Sequence, residues 1–476
     1  MSKGSWELGS PTITQDLKFV NLSHPDDVRQ KKEVRTEIRR HVMKDIGQRR
    51  RRPRCKETLT QPTQASSVEL NRYKPSQHCD VNIRIDPPSR GLATLGDFPV
   101  NADMRVLELM HFLRTAPYQP FRTLWINVAL CDPGAFHVTL GNAADFLNKI
   151  KGNSSLIKSP EVLGHYETST RHLRRRLNNF AESISEGAIA NILAHVCLTM
   201  RHFEWDSWRV HMDGLSLIAK LRGGFAELGY NMPLLILLYD LAGGMIFDSS
   251  PRFCLPTDHF GTSHKSLRDV PPRLQAVLIQ LTSPTIAPAG EALKWISLVS
   301  DVINTNSRST SFWKRDIDAI SLIGPCIHFL LSMPRLPRNF ETMDNIEDLI
   351  AREMVRLTSL ILMSRLKELF AFPASERVAL QNRITEFVSH NIRLVGERYL
   401  ELKVWALVTL ALLQPHDGRE VYIQELRRET RAMNRLPAYD VFEITRDIVW
   451  FDILMSPFTD ELAEDMELQL GFGQAC

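Results

Sequence analysis

From about residue 98 to residue 470, apolar residues recur three and four positions apart almost without relief, and this periodicity constrains the fold more than any other feature. Val106, Leu109, Met110 and Leu113 form one such face, opened by Asp103 as a cap and closed by Pro117. A short apolar helix is expected over 121–131. Asp132 and Pro133 open the next, to about Ile150, and the pattern continues over 160–179 and 186–203. In "WDSWRVHMDGLSLIAKLRGGFAELG" (205–229), Trp208, His211, Met212, Leu215, Ile218 and Ala219 share one face, and Gly223 and Gly224 supply a left-handed stop. A very apolar helix follows over 231–248, and others near 290–304, 311–333, 342–371, 374–397, 399–414, 418–434 and 438–455. Residues 249–289 hold six prolines and read as looser. Few stretches alternate with period two, and none of those carries a hairpin turn signal. The expected fold class is all-α: a multi-helix domain over 98–470, preceded by a basic helix and a flexible linker.

The N-terminal part reads differently. Residues 1–18 form a flexible N-terminus with no apolar core of a secretory signal. Residues 19–56 form a basic helical head and arginine run. Ser23 and Asp26 have capping-box spacing, Val34, Ile38, Val42 and Ile46 make a narrow apolar stripe, and Gly47 stops the helix. Residues 57–97, with Pro62, Pro75, Pro87 and Pro88 among polar residues, are a linker by composition. Arg29–Lys56 holds 13 Lys or Arg against 3 Asp or Glu, a local charge of +10, and leaves −7 on the rest of a chain whose net charge is +3. Arg49, Arg50, Arg51, Arg52, Arg54 and Lys56 are therefore candidates for a nuclear-localisation signal or for phosphate contacts, against the plainer reading of a solvated tail. Phosphate contact of this kind carries no sequence specificity.

The search for chemistry is negative. Seven cysteines are scattered without metal-ligand spacing, and the His78–Cys79 pair has no second pair to complete a zinc site. There is no Walker loop, no dinucleotide fingerprint after a strand and no nucleophile elbow. Glu461, Glu464 and Asp465 read as a solvated face of a polar tail. Trp205 and Trp208 could stack bases, but Trp208 lies on an apolar helix face where packing is the better explanation. The longest apolar stretch, Leu234–Phe247, spans 14 residues and contains Asp240, short of the roughly 20 residues a membrane span requires. No enzyme activity, metal, cofactor or membrane partner is expected from these residues.

Several blocks carry a family resemblance. "FVNLSHPDDVRQKKEVRTEIRRHVMKDIGQRRRR", "DPGAFHVTLGNAADFL" (132–147), "SEGAIANILAHVCLTM" (185–200) and the 205–229 block resemble the fungal-specific transcription factor domain, the helical regulatory region that follows a zinc binuclear cluster in many fungal regulators. The resemblance marks Trp208, His211, Met212, Gly214, Leu215, Arg222, Gly223 and Gly224 as motif residues of structural character. It implies an all-α regulatory domain and a role in transcription, with other transcription factors or coactivators as partners. The basic head adds a nuclear location, an import receptor and DNA contact as expectations, and a second copy of the chain is a further expected partner. The resemblance supplies no catalytic residues. The sequence also departs from the family pattern: only Cys55 and Cys79 occur in the first 130 residues, too few for the six-cysteine cluster. The expectation is a regulator that lacks its own zinc cluster and works through protein interactions. The alternatives are a direct, weakly specific DNA binder using 29–56, and a cytosolic ligand-binding or enzymatic helical protein.

Overall fold

The described residues all lie within one compact unit, 85–476. The computed structural model describes residues 98–115, 122–152, 159–225, 228–229, 231–256, 270–414, 418–433 and 437–467. The basic head and its Arg49–Lys56 cluster lie outside the described residues.

Helix α1 is Met104–Thr115, α2 Arg122–Leu130, α3 Pro133–Ile150, α4 Pro160–Leu177, α5 Phe180–Ser183, α6 Glu186–Arg201, α7 Trp205–Arg222 and α8 Met232–Phe247. The caps set these boundaries. The Asp103 carboxylate accepts from the Val106 amide at 2.8 Å. Asp132, Ser159 and Ser185 each accept an amide hydrogen bond from the first turn of the helix that follows, and Pro133 and Pro160 occupy first-turn positions where no amide is needed. Helix α3 packs on α1, α2, α4 and α6, and α7 lies on α6.

The second half contains α9 (Pro272–Gln280), α10 (Ala287–Asn306), α11 (Asp316–Ser332), α12 (Ile346–Leu369), α13 (Arg377–Asn391), α14 (Leu400–Leu413), α15 (Glu420–Ala432), α16 (Ala438–Arg446), α17 (Asp452–Met455) and α18 (Thr459–Glu467). Helix α12 is buried along nearly its whole length, between α10, α11, α13 and α14. Helix α8 is apolar all round because α6, α11 and α13 surround it. No strand occurs among the described residues, and no helix among them is long and apolar enough to cross a membrane. The fold is all-α.

Three sequence expectations are corrected. The looser region contains α9, which buries Leu274, Val277 and Leu278 behind the helix-compatible start Pro271-Pro272. The expected helix over 438–455 is interrupted at 447–451. There the Trp450 carbonyl accepts from Ser300 Oγ at 2.5 Å and Asn304 Nδ2 at 2.8 Å, and the Val449 carbonyl from Trp405 Nε1 at 3.2 Å, so side chains replace the helical hydrogen bonds. Finally, Glu461 and Asp465 are not a solvated tail. They belong to α18 and pair with the buried Arg419, whereas Glu464 is exposed.

Candidate functional site

Helix α7 carries all but the last two of the motif residues and buries Trp208, Met212, Leu215 and Ile218 on one face. Trp208 packs closely against α8 because Gly243 has no side chain: a Cβ there would stand 1.9 Å from Trp208 Cη2. Phe247 and Trp205 flank the indole with ring centres 5.9 and 6.4 Å away, and the Arg252 guanidinium caps it at 4.9 Å. Arg252 is held in turn by Asp240, the one acid of α8. The buried Asp240 carboxylate accepts from the amides of Arg252 at 2.6 Å and Phe253 at 3.2 Å. Burial pushes its pKa up, against those two amides and the guanidinium.

His211 is half-buried and stacks on His195, ring centres 5.5 Å apart. Arg222 Nη1 donates to the Ile184 carbonyl at 2.5 Å and ties the end of α7 to the turn before α6. Gly223 (φ +77°) and Gly224 (φ +123°) form the left-handed exit. Gly214 faces open space, with nothing within 4 Å of where a Cβ would be.

Beneath this block runs a polar seam that sequence spacing did not disclose. On α4, positions 161, 165, 169, 172 and 176 turn toward α1, α3 and α6. Glu161 binds Arg105 at 2.7 Å, His165 Nδ1 meets His137 Nδ1 at 3.0 Å, and Ser169 Oγ donates to Asn191 Oδ1 at 2.9 Å while lying 3.1 Å from His195 Nε2. His172 stacks on His137 at 6.1 Å, and Arg176 pairs with the fully buried Asp132. The seam needs glycine neighbours: a Cβ at Gly134 would meet Asn191 at 2.0 Å, and one at Gly187 would meet Arg176 at 2.5 Å. Burial lowers His137 to about 4, helped by the charges of His165 and His172, and lowers His195 to about 4, helped by His211. Burial also lowers His165 and His211, and it raises Asp132 against its Ala135 amide contact and Arg176. His137 and His195 are neutral hydrogen-bonding groups at neutral pH. Ser169 and His195 have the pairing of a nucleophile and base, but Ser169 is fully buried and neither residue lines a described cavity. No cluster of three or more potential ligands is placed to hold a metal among the described residues.

Residues 105–255 match the fungal specific transcription factor domain. The match takes in about a third of the chain, and it contains α7, the Trp208–Gly243 contact and most of the seam. No curated protein and no solved structure matches the chain. The transcription factor domain match thus falls on the half of the fold whose polar interior is built from side chains of α3, α4 and α6.

An open groove lies outside the match, between α9, α10 and the end of α11. Its volume is about 750 Å³, with Leu278, Leu281, Pro284, Phe329 and Met333 among its walls. Its 281–286 loop is fastened from below by α12. Asn345 Nδ2 donates to Thr285 Oγ1 at 2.7 Å, and Asp348 accepts from Ser283 and from Tyr399, the latter at 2.5 Å. Buried Arg352 bridges the two lips, donating to the carbonyls of Thr285 at 3.1 Å and Arg335 at 3.3 Å. Sequence reading placed this loop in the looser region, and the 345, 348 and 352 spacing that anchors it is the signal that was available.

Proposed function

We propose that the chain is a nuclear transcription regulator that works through protein contacts of its helical domain and carries no zinc cluster of its own. The observation that carries this reading is the fungal specific transcription factor domain over 105–255, in a chain whose first 130 residues hold only Cys55 and Cys79. The interior of the matched stretch supports a binding rather than a catalytic role. The Ser169–His195 pair, arranged like a nucleophile and base, is buried among the helices. The 281–286 loop, fixed by α12, offers a preformed apolar groove for a transcription factor or coactivator, at little ordering cost on binding. The basic cluster Arg49–Lys56 serves as the import address in this reading.

The test is the location of a fluorescent fusion of the full chain, beside a variant with Arg49, Arg50, Arg51, Arg52, Arg54 and Lys56 changed to Ala. A nuclear signal that is lost in the variant is expected. A cytosolic wild-type chain would overturn the reading.

A further inference from the structure

The outward face of α7 is not explained by the fold. Val210 and Leu217 are 70 and 58% exposed, Leu221 is 50% exposed, and Phe203, in the turn before the helix, is 65% exposed. Positions 210, 214, 217 and 221 follow the 4-3-4 spacing of a helix-pairing seam. The fourth member of the seam is Gly214. Glycine is disfavoured against alanine in a helix interior, yet the place its Cβ would take is open space. Nothing among the described residues requires that gap, whereas a crossing helix would use it.

We infer that this face pairs with α7 of a second copy of the chain, antiparallel, around a two-fold axis near Leu215 and Ser216. The charges choose the occupant and its direction. In the antiparallel register Val210 lies opposite Leu221 of the second copy, and Gly214 opposite its Leu217. The flanking Asp213 then faces Lys220, and the two-fold repeats this pair. In a parallel register Asp213 would face Ile218, and no charge pair forms. Asp213 keeps its 3.4 Å contact with Arg252 of its own chain and, being largely exposed, still has an open side for the lysine. A single helix face buries less than the about 800 Å² per partner typical of stable interfaces, so the dimer is reversible and concentration-dependent. This pairing stands independently of the regulatory reading, since its readout is molecular mass.

The test is sedimentation of the full chain over a concentration series, with folding of each variant checked by circular dichroism. The mass is expected to rise from 54.4 kDa toward twice that value. Leu217→Glu abolishes the rise. Asp213→Lys alone and Lys220→Asp alone each set like charges opposite one another twice and weaken association about tenfold. The two substitutions together restore it. Because the double variant does not rebuild the Asp213–Arg252 contact within one chain, the rescue reports the interface. A chain that is monomeric at every concentration, a dimer indifferent to Leu217→Glu, or single swaps not rescued by the double variant would each overturn the pairing.

Discussion

Replacing Gly243 by Ala probes the contact that joins α7 to α8. The added methyl would stand 1.9 Å from Trp208 Cη2 and 2.3 Å from Cζ2, where non-bonded carbons settle at about 3.5–4.0 Å. The indole would have to retreat by roughly 1.5 Å or more to restore that spacing. It is fully buried, and Phe247, Trp205 and Arg252 close the ways out. Overpacking of this kind costs about 1–3 kcal/mol, and the upper end applies because a rigid ring is the obstacle. Removing a glycine from a helix interior returns about 1 kcal/mol. The net expectation is a loss of about 2 kcal/mol. Gly214→Ala is the matched control: it faces open space, so only the helix term acts, and it should gain up to about 1 kcal/mol. Thermal midpoints followed by circular dichroism at low protein concentration measure both. Domains of 150–250 residues shift by about 2–4 °C per kcal/mol and larger ones by less, so a drop of a few degrees is expected for Gly243→Ala and a smaller rise for Gly214→Ala. Adding Trp208→Phe to Gly243→Ala, which removes the ring atoms nearest the methyl, should recover part of the loss. A Gly243→Ala variant as stable as the wild type would refute this account of the packing.

Further predictions concern the buried polar groups. Arg176→Ala strands the Asp132 carboxylate in the core and should cost about 3–5 kcal/mol at neutral pH. Burial already raises Asp132, and losing Arg176 raises it further, so that deficit should shrink as pH falls, read from unfolding midpoints across pH. Acid should weaken the wild-type chain through its histidines. His195 sits at about 4 in the fold and near 6.5 unfolded, so the unfolded state takes up the proton first. Stability is full above about pH 6.5 and falls toward pH 4, with roughly 2 kcal/mol lost at pH 5 from His195 alone. His195→Gln should flatten that part of the profile, and an unchanged slope would count against the assignment. Arg352→Met removes the donor from the carbonyls of Thr285 and Arg335 and should cost about 3 kcal/mol. Amide exchange should quicken around residues 283–286 while α3 and α6 are unaffected; uniform exchange would refute the clamp.

How much of this was legible depended on the kind of signal. Helix ends with caps were readable because Asp103, Asp132 with Pro133, and Gly223 act within a few residues of themselves. The inward face of α7 was readable from spacing, since burial of Trp208, Met212, Leu215 and Ile218 follows the helical period. The break at 447–451 was not, because the donors that replace the helical bonds, Ser300, Asn304 and Trp405, come from 44 to 150 residues away. Helix α9 was hidden by its double proline, which discourages a helix before it yet suits a helix start. The seam on α4 was written as an ordinary polar helix. Its spacing of 161, 165, 169, 172 and 176 is visible, but its partners Asp132, His137, Asn191 and His195 are brought to it only by tertiary packing. Glu461 and Asp465 likewise gained a role only when Arg419 arrived beside them.

The most direct test of the regulatory reading is to fuse the full chain to a heterologous DNA-binding module and measure transcription of a reporter bearing that module's site. The account predicts a change in reporter output that is reduced when Arg352→Met loosens the groove and is unaltered by Ser169→Ala or by other loss of the buried Ser169–His195 pair in a folded chain. A tethered, folded, nuclear chain that leaves reporter output unchanged would contradict it.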